Sequence, residues 1–208
     1  MMDPGSGRSA IALVALSAVL SWCTPQIASA QPAGPPRVSV SGLVGFARPN
    51  DATFREIYGG AAVPFTAQMD WRLGDAGAEV FAGVRYVGQD GEGIGDSALS
   101  SGQPLTFHMT SVRFGVGWSF PSAGWRFTVA GGGSYNAYRE SWPDLGLETR
   151  DSVFGVVVLT TVSRQMTRRI GLLARMEFSA IGAEPPDPSL QRVGLGSFDL
   201  LAGVSFGF

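Results

Sequence analysis

Lysine is absent from this chain of 208 residues, since every one of its 15 basic residues is an arginine. That bias reads as composition rather than chemistry. Cysteine and histidine occur once each, as Cys23 and His108, which leaves no disulfide framework and too few ligands for a zinc site. Beyond Leu20 no run reaches the roughly 18 apolar residues that a spanning helix needs. A helical membrane crossing is therefore excluded after that point. The net charge of -2 supplies no basic excess, so a nucleic-acid partner is not expected. Gly131-Gly132-Gly133 lies inside an expected strand rather than between a strand and a helix, and so marks close packing instead of a phosphate cradle. Asp90, Glu92 and Asp96 lack the spacing of a calcium loop. No metal and no cofactor are expected.

The N-terminal segment has the marks of an export signal. Arg8 precedes an apolar run from Ala10 to Leu20, and Ala28-Ser29-Ala30 is the small-x-small pattern of a cleavage site. The expected division is a secretory signal peptide over residues 1–30, cut before Gln31, and one domain over residues 31–208. Leu20-Ser21-Trp22-Cys23 approaches a lipoprotein box, but Trp22 is too large for it.

Apolar residues make up 45% of the chain and glycine numbers 29, too apolar for disorder, yet the pattern has a period of two and not 3.6. It is clearest from Gly196 to Phe208, where Phe198, Leu200, Ala202, Val204, Phe206 and Phe208 share one face. Similar strands are expected over Arg37 to Ala47, Ala61 to Leu73, Ala78 to Gly88, about Leu105 to Phe120, from Trp125 to beyond Tyr135, Ser152 to Met166, and Ile170 to Ser179. Phe81 breaks the alternation. Between them come long connections at Arg48 to Gly60, Gln89 to Gln103, Ser141 to Asp151 and Ala183 to Val193. These alternate with short turns at Gly74-Asp75-Ala76-Gly77, Pro121-Ser122-Ala123-Gly124 and Thr167-Arg168-Arg169.

These residues carry a resemblance. A last strand ending in Phe, with apolar residues at every second place before it, resembles the small outer-membrane β-barrels of Gram-negative bacteria. In layout the chain is similar to the barrel domain of outer-membrane protein A and to outer-membrane protein X. The resemblance implies an all-β fold, an eight-stranded antiparallel up-and-down transmembrane β-barrel with long extracellular loops and short periplasmic turns. It also implies that Phe206 and Phe208 form the insertion signal. The implied partners are outer-membrane lipid and lipopolysaccharide, with periplasmic chaperones and the barrel-assembly machinery during biogenesis. A surface ligand remains unnamed.

Aromatic residues on the outward parity fall into two bands, the arrangement of interfacial girdles. Trp71, Trp118, Phe120, Trp125 and Phe208 lie near the short turns; Phe46, Phe65, Tyr86, Tyr135, Phe154, Phe178 and Phe198 lie near the long connections. The inward parity holds Asp70, Arg72, Glu79, Arg85, Arg113, Arg126, Arg175, Glu177 and Asp199, with Arg72 opposite Glu79 across the first short turn. A barrel of this size is filled by its own side chains. Balanced charges are expected to neutralise one another in a plugged core, the alternative being a narrow ion path. His108 and Thr110, two residues apart on the outward parity, loosely resemble the His-x-Ser pair of the lipid A 3-O-deacylase barrels, with Glu140 as a possible orienting acid. Glu140 falls on the inward parity, and a lone interfacial His is usually an amphipathic side chain. A structural or surface-interaction role is expected and an enzyme is not.

Overall fold

Alternating chains of this kind satisfy their backbone only by pairing, and in this protein the pairing closes on itself. The computed structural model describes residues 37–74, 76–93, 102–183 and 193–208. The segment expected to be a signal peptide (with Cys23), Asp75 of the first turn, Asp96 and most of the Ala183 to Val193 connection lie outside the described residues. The strands are β1 (Val38–Pro49), β2 (Phe65–Arg72), β3 (Ala78–Glu92), β4 (Pro104–Ser122), β5 (Trp125–Trp142), β6 (Leu147–Gln165), β7 (Ile170–Ala183) and β8 (Ser197–Gly207). Each pairs antiparallel with its chain neighbours, and β1 pairs β8 from Ser39 opposite Gly207 to Pro49 opposite Ser197. Among the described residues this is a closed, up-and-down ring without an open edge. Val193–Gly194 adds a two-residue pairing at the far end of β7.

The short turns gather at one end with Val38 and Phe208, which bond to each other there. Ala123 and Gly124 take positive φ values of 47° and 83°, the twist of a two-residue hairpin. In the β6–β7 turn the Thr167 hydroxyl accepts from the Ile170 amide at 3.0 Å.

The opposite end departs from the sequence reading in two respects. Ser141 to Asp151 is not a long loop: β5 runs to Trp142, a single 3-10 turn spans Pro143–Leu145, and β6 begins at Leu147. The two strands keep their ladder past the girdle, so the backbone is satisfied by pairing rather than by water. The stretch from Arg48 to Gly60 contains a helix, α1 (Ala52–Tyr58). Its N-cap is Asp51, which accepts from the Phe54 amide at 2.9 Å. Its other carboxylate oxygen accepts from the Gly194 amide at 3.1 Å, tying the helix to the segment before β8. Burial opposes ionisation of Asp51, and the bonds from Phe54, Gly194 and Thr53 outweigh it, holding the carboxyl below its ordinary value.

Candidate functional site

The barrel wall changes character along its length. In the middle of β4, Val112, Phe114 and Val116 face out and Ser111 and Arg113 face in. Higher on the same strand the order inverts: Thr110 and His108 face out, while Met109, Phe107 and Leu105 are buried inside. Strand β5 inverts at the same level, with Tyr135 outward above Val129, then Arg139 outward and Tyr138 and Trp142 turned towards the inner cluster. On β6 the outward set passes from Val158, Val156 and Phe154 to Ser152, Arg150 and Glu148. An apolar outer face needs hydrocarbon, and a polar one with an apolar inside needs water. The level of Tyr86, Tyr135 and Phe154 is therefore the outer boundary of the membrane. Below it lies a transmembrane β-barrel.

Above the boundary the bore is closed by an apolar core. Phe54 and Tyr58 of α1 pack against Phe107, with ring centroids 5.0 and 5.5 Å away. Ala47, Ala62, Val87, Leu105, Met109, Ile181 and Leu195 complete the cluster. The Tyr58 hydroxyl donates to Glu140 Oε1, and burial together with that carboxylate pushes the phenol up. Val87, Leu105, Phe107 and Met109 are apolar and inward, which a single rule that turns apolar residues outward along the whole strand does not capture. The Phe54, Ile57, Tyr58 spacing behind Asp51 was the available signal for the helix.

Below the boundary the interior is ionic. Arg85 Nε donates to Asp199 Oδ2 at 2.8 Å, and Asp199 also accepts from the Ser197 hydroxyl at 2.6 Å. Arg113 Nη2 lies 2.6 Å from Glu177 Oε1, a buried ion pair. Arg175 donates to Gln68 at 2.6 Å and to the Thr161 hydroxyl at 3.0 Å, and Gln68 in turn donates to Asp70. Glu79 accepts from the Ser119 hydroxyl at 2.6 Å. Register places Arg72 opposite Glu79 and Trp71 opposite Val80. Phe81, the residue out of step in the sequence, points inward with Ala130, Val157 and Leu159. A Cβ on Gly115 would come 2.3 Å from the Gly131 carbonyl oxygen and 2.6 Å from the Phe81 ring, so the glycine leaves room for both the neighbouring strand and the ring. At the short-turn end space opens, a vestibule of about 50 Å³ lined by Asp70, Glu79, Arg126, Thr128, Thr161 and Arg175 among others.

The remaining residues singled out in the sequence divide by face. Phe46, Tyr86, Tyr135 and Phe178 are exposed on the wall towards the long connections, and Trp71, Trp118 and Trp125 towards the short turns. Arg164 stacks over Trp125 with its guanidinium carbon 5.2 Å from the ring centroid. Phe206 stands on the outer wall between Val40 and Ile170, and the Phe208 amide donates to the Val38 carbonyl at 2.8 Å. His108 and Thr110 lie on the outer face, while Glu140 sits inside with Tyr58, so the wall separates the three. The partner of His108 is Tyr86, whose hydroxyl is 2.8 Å from Nδ1. No group of three or more metal-ligating side chains occurs among the described residues.

No protein-family model matches the sequence, and no curated protein does. Solved structures do match in fold. Neisserial surface protein A superposes with a TM-score of 0.60 at 17% identity, covering 85% of this chain and 100% of that one. A major outer membrane protein from Thermus thermophilus gives 0.54 at 11% identity, covering 82% and 98%. The N-terminal β-barrel domain of Pseudomonas aeruginosa OprF gives 0.51 at 14% identity, covering 83% and 98%.

Proposed function

Taking the chain as a barrel of the small eight-stranded outer-membrane fold, set in a bacterial outer membrane, we propose that it works by surface contact rather than conduction or catalysis. The observation that carries this is the sequence of fillings along the bore. A solute entering from outside meets the Phe54–Tyr58–Phe107 cluster first, and beneath it the Arg85–Asp199 and Arg113–Glu177 pairs. Opening a path would mean exposing an apolar core and separating buried charges, each costing several kcal/mol. What the fold offers to the outside is the raised wall of β4, β5 and β6 with the tip at Pro143–Leu145. Reconstituted in planar bilayers the protein stays silent; steady steps of a single size overturn the closed reading. Replacing residues 143–146 by Asn-Gly removes surface binding while leaving the barrel folded.

The vestibule favours one second reading, a narrow ion path, since its walls carry Asp70, Glu79, Arg126 and Arg175. Its lining also includes the apolar Phe81, Ala130, Leu159 and Leu173. A deacylase is disfavoured by the separation of Glu140 from His108, and His108→Ala leaves lipid A acylation unchanged. In biogenesis, residues 1–30 direct export and are removed before Gln31, which N-terminal sequencing of the mature protein checks. Phe206 and Phe208 are then what the assembly machinery reads.

A further inference from the structure

Arg126 differs from Arg85, Arg113 and Arg175 in what it holds. Arg85 is paired with Asp199, Arg113 with Glu177, and Arg175 donates to Gln68 and to the Thr161 hydroxyl. Arg126 has neither a hydrogen-bond acceptor nor an ion-pair partner among the described residues. The acids that act on it across the vestibule are Glu79 and Asp70. Each already accepts from a neutral donor, Glu79 from the Ser119 hydroxyl at 2.6 Å and Asp70 from the Gln68 amide. A half-buried charge without a partner costs free energy, and this guanidinium keeps all five of its donor hydrogens for what enters the vestibule.

The neighbouring strand sets hydroxyls beside it. Arg126 lies opposite Ser163 and Thr128 opposite Thr161, so two side chains of β5 and two of β6 face the same space. Ser163 makes no hydrogen bond among the described residues. Thr161 accepts from Arg175 Nε at 3.0 Å, which leaves its own proton to donate. A planar guanidinium flanked by two hydroxyls matches the paired oxygens of an oxyanion. The space of about 50 Å³ admits a few waters, or one small group in their place. The charge of this end has the matching sign. With Arg72 left aside, Arg37, Arg126, Arg164, Arg168, Arg169 and Arg175 stand against Asp70 and Glu79 among the described residues. Arg37, Arg164, Arg168 and Arg169 are exposed there, and such a field concentrates anions at the mouth before they enter. Asp70 and Glu79 face the same vestibule and repel a multiply charged ion more than a singly charged one.

We propose that the short-turn mouth of the barrel binds a small monocarboxylate, with Arg126 as its charge partner and Ser163 and Thr161 as hydroxyl donors. The outer-membrane reading supplies the compartment it comes from, the periplasm. Nothing else in the inference depends on surface contact, and the site lies at the opposite end from the raised tip.

The full chain is refolded into phosphatidylcholine nanodiscs with its backbone amides labelled, and titrated with sodium acetate, sulfate and chloride at one constant ionic strength. Acetate moves the amide signals of residues 126, 128, 161 and 163 along a saturating curve, and sulfate and chloride do not. Arg126→Gln weakens acetate binding by at least about tenfold and Ser163→Ala by about threefold. Arg168→Gln, on the exposed turn, binds as wild type. Equal affinity of Arg126→Gln and wild type, with heat-modifiable migration confirming that both are folded, overturns the site. Where Arg126→Gln does not fold, unchanged affinity of Ser163→Ala overturns it instead. A response that chloride reproduces is charge screening, and one confined to residues 167–169 is adventitious binding to the turn; either sinks the proposal. Saturation by sulfate at a lower concentration than acetate overturns the carboxylate assignment.

Discussion

Strands β4, β5 and β6 each pass through two environments, and their two halves are built by opposite rules. In the membrane, Val116, Val129 and Val158 face out, and the interior is held by paired charges such as Arg113 with Glu177. Outside it, His108, Arg139 and Arg150 face out, and the interior is Phe54, Tyr58, Phe107 and Met109. The backbone does not change between the halves. What changes is the solvent, so the upper part is a small water-soluble core seated on a lipid-soluble one.

The comparison can be broken at four places. The largest effect belongs to the embedded half: Arg113→Ala leaves Glu177 as an uncompensated buried charge and costs about 3–5 kcal/mol, read as a fall in the urea midpoint of refolded barrel. Phe54→Ala removes the centre of the outer core at a cost of about 3 kcal/mol. That loss is confined to the cap: faster amide exchange over residues 52–58 and quicker proteolytic nicking there accompany a urea midpoint near wild type. Bilayer conductance stays silent, because the ion pairs beneath remain. Gly115→Ala drives a methyl into the Gly131 carbonyl oxygen as well as the Phe81 ring and destabilises the embedded half by about 1–3 kcal/mol, and Phe81→Leu in the same chain relieves only the ring contact. The smallest effect is at the N-cap, where Asp51→Ala costs about 1 kcal/mol of cap stability.

Asp51 also gives the cap a pH dependence of known sign. Its folded carboxyl sits below its ordinary value of 3.8, so its contribution is present above that pH and is lost as acid takes the solution down through the lowered value. Amide exchange in α1 should therefore accelerate at the acid end in wild type and less so in Asp51→Ala. An equal response in both would locate the titration elsewhere.

Much of the embedded half is legible in the chain, because hydrocarbon imposes alternation residue by residue. Val112, Phe114, Val116 and Trp118 announce their face without any knowledge of partners. Trp71 opposite Val80 follows from a tight turn alone. The outer half is harder. Leu105, Phe107 and Met109 alternate just as cleanly with Thr106, His108 and Thr110, but a rule that fixes outward as apolar assigns them no role. Helix α1 hides among Pro49, Asn50, Gly59 and Gly60, and seven residues give the 3.6-residue period too little length to show. The Arg139–Arg150 juxtaposition depends on the register of a hairpin that reads as a loop. Interior partners such as Arg85 with Asp199 join strands that are not neighbours, so no local pattern announces them.

The seam between β1 and β8 has one more consequence. It joins the two described strands that lie furthest apart in sequence, and each of the other pairings can form before it does. Until it closes, both margins of a nearly finished sheet present unmatched amides and carbonyls to acyl chains, where no water can satisfy them. Assembly is thus slowest and most exposed at its last step. The ladder that sets Val40 opposite Phe206 is what removes both margins at once.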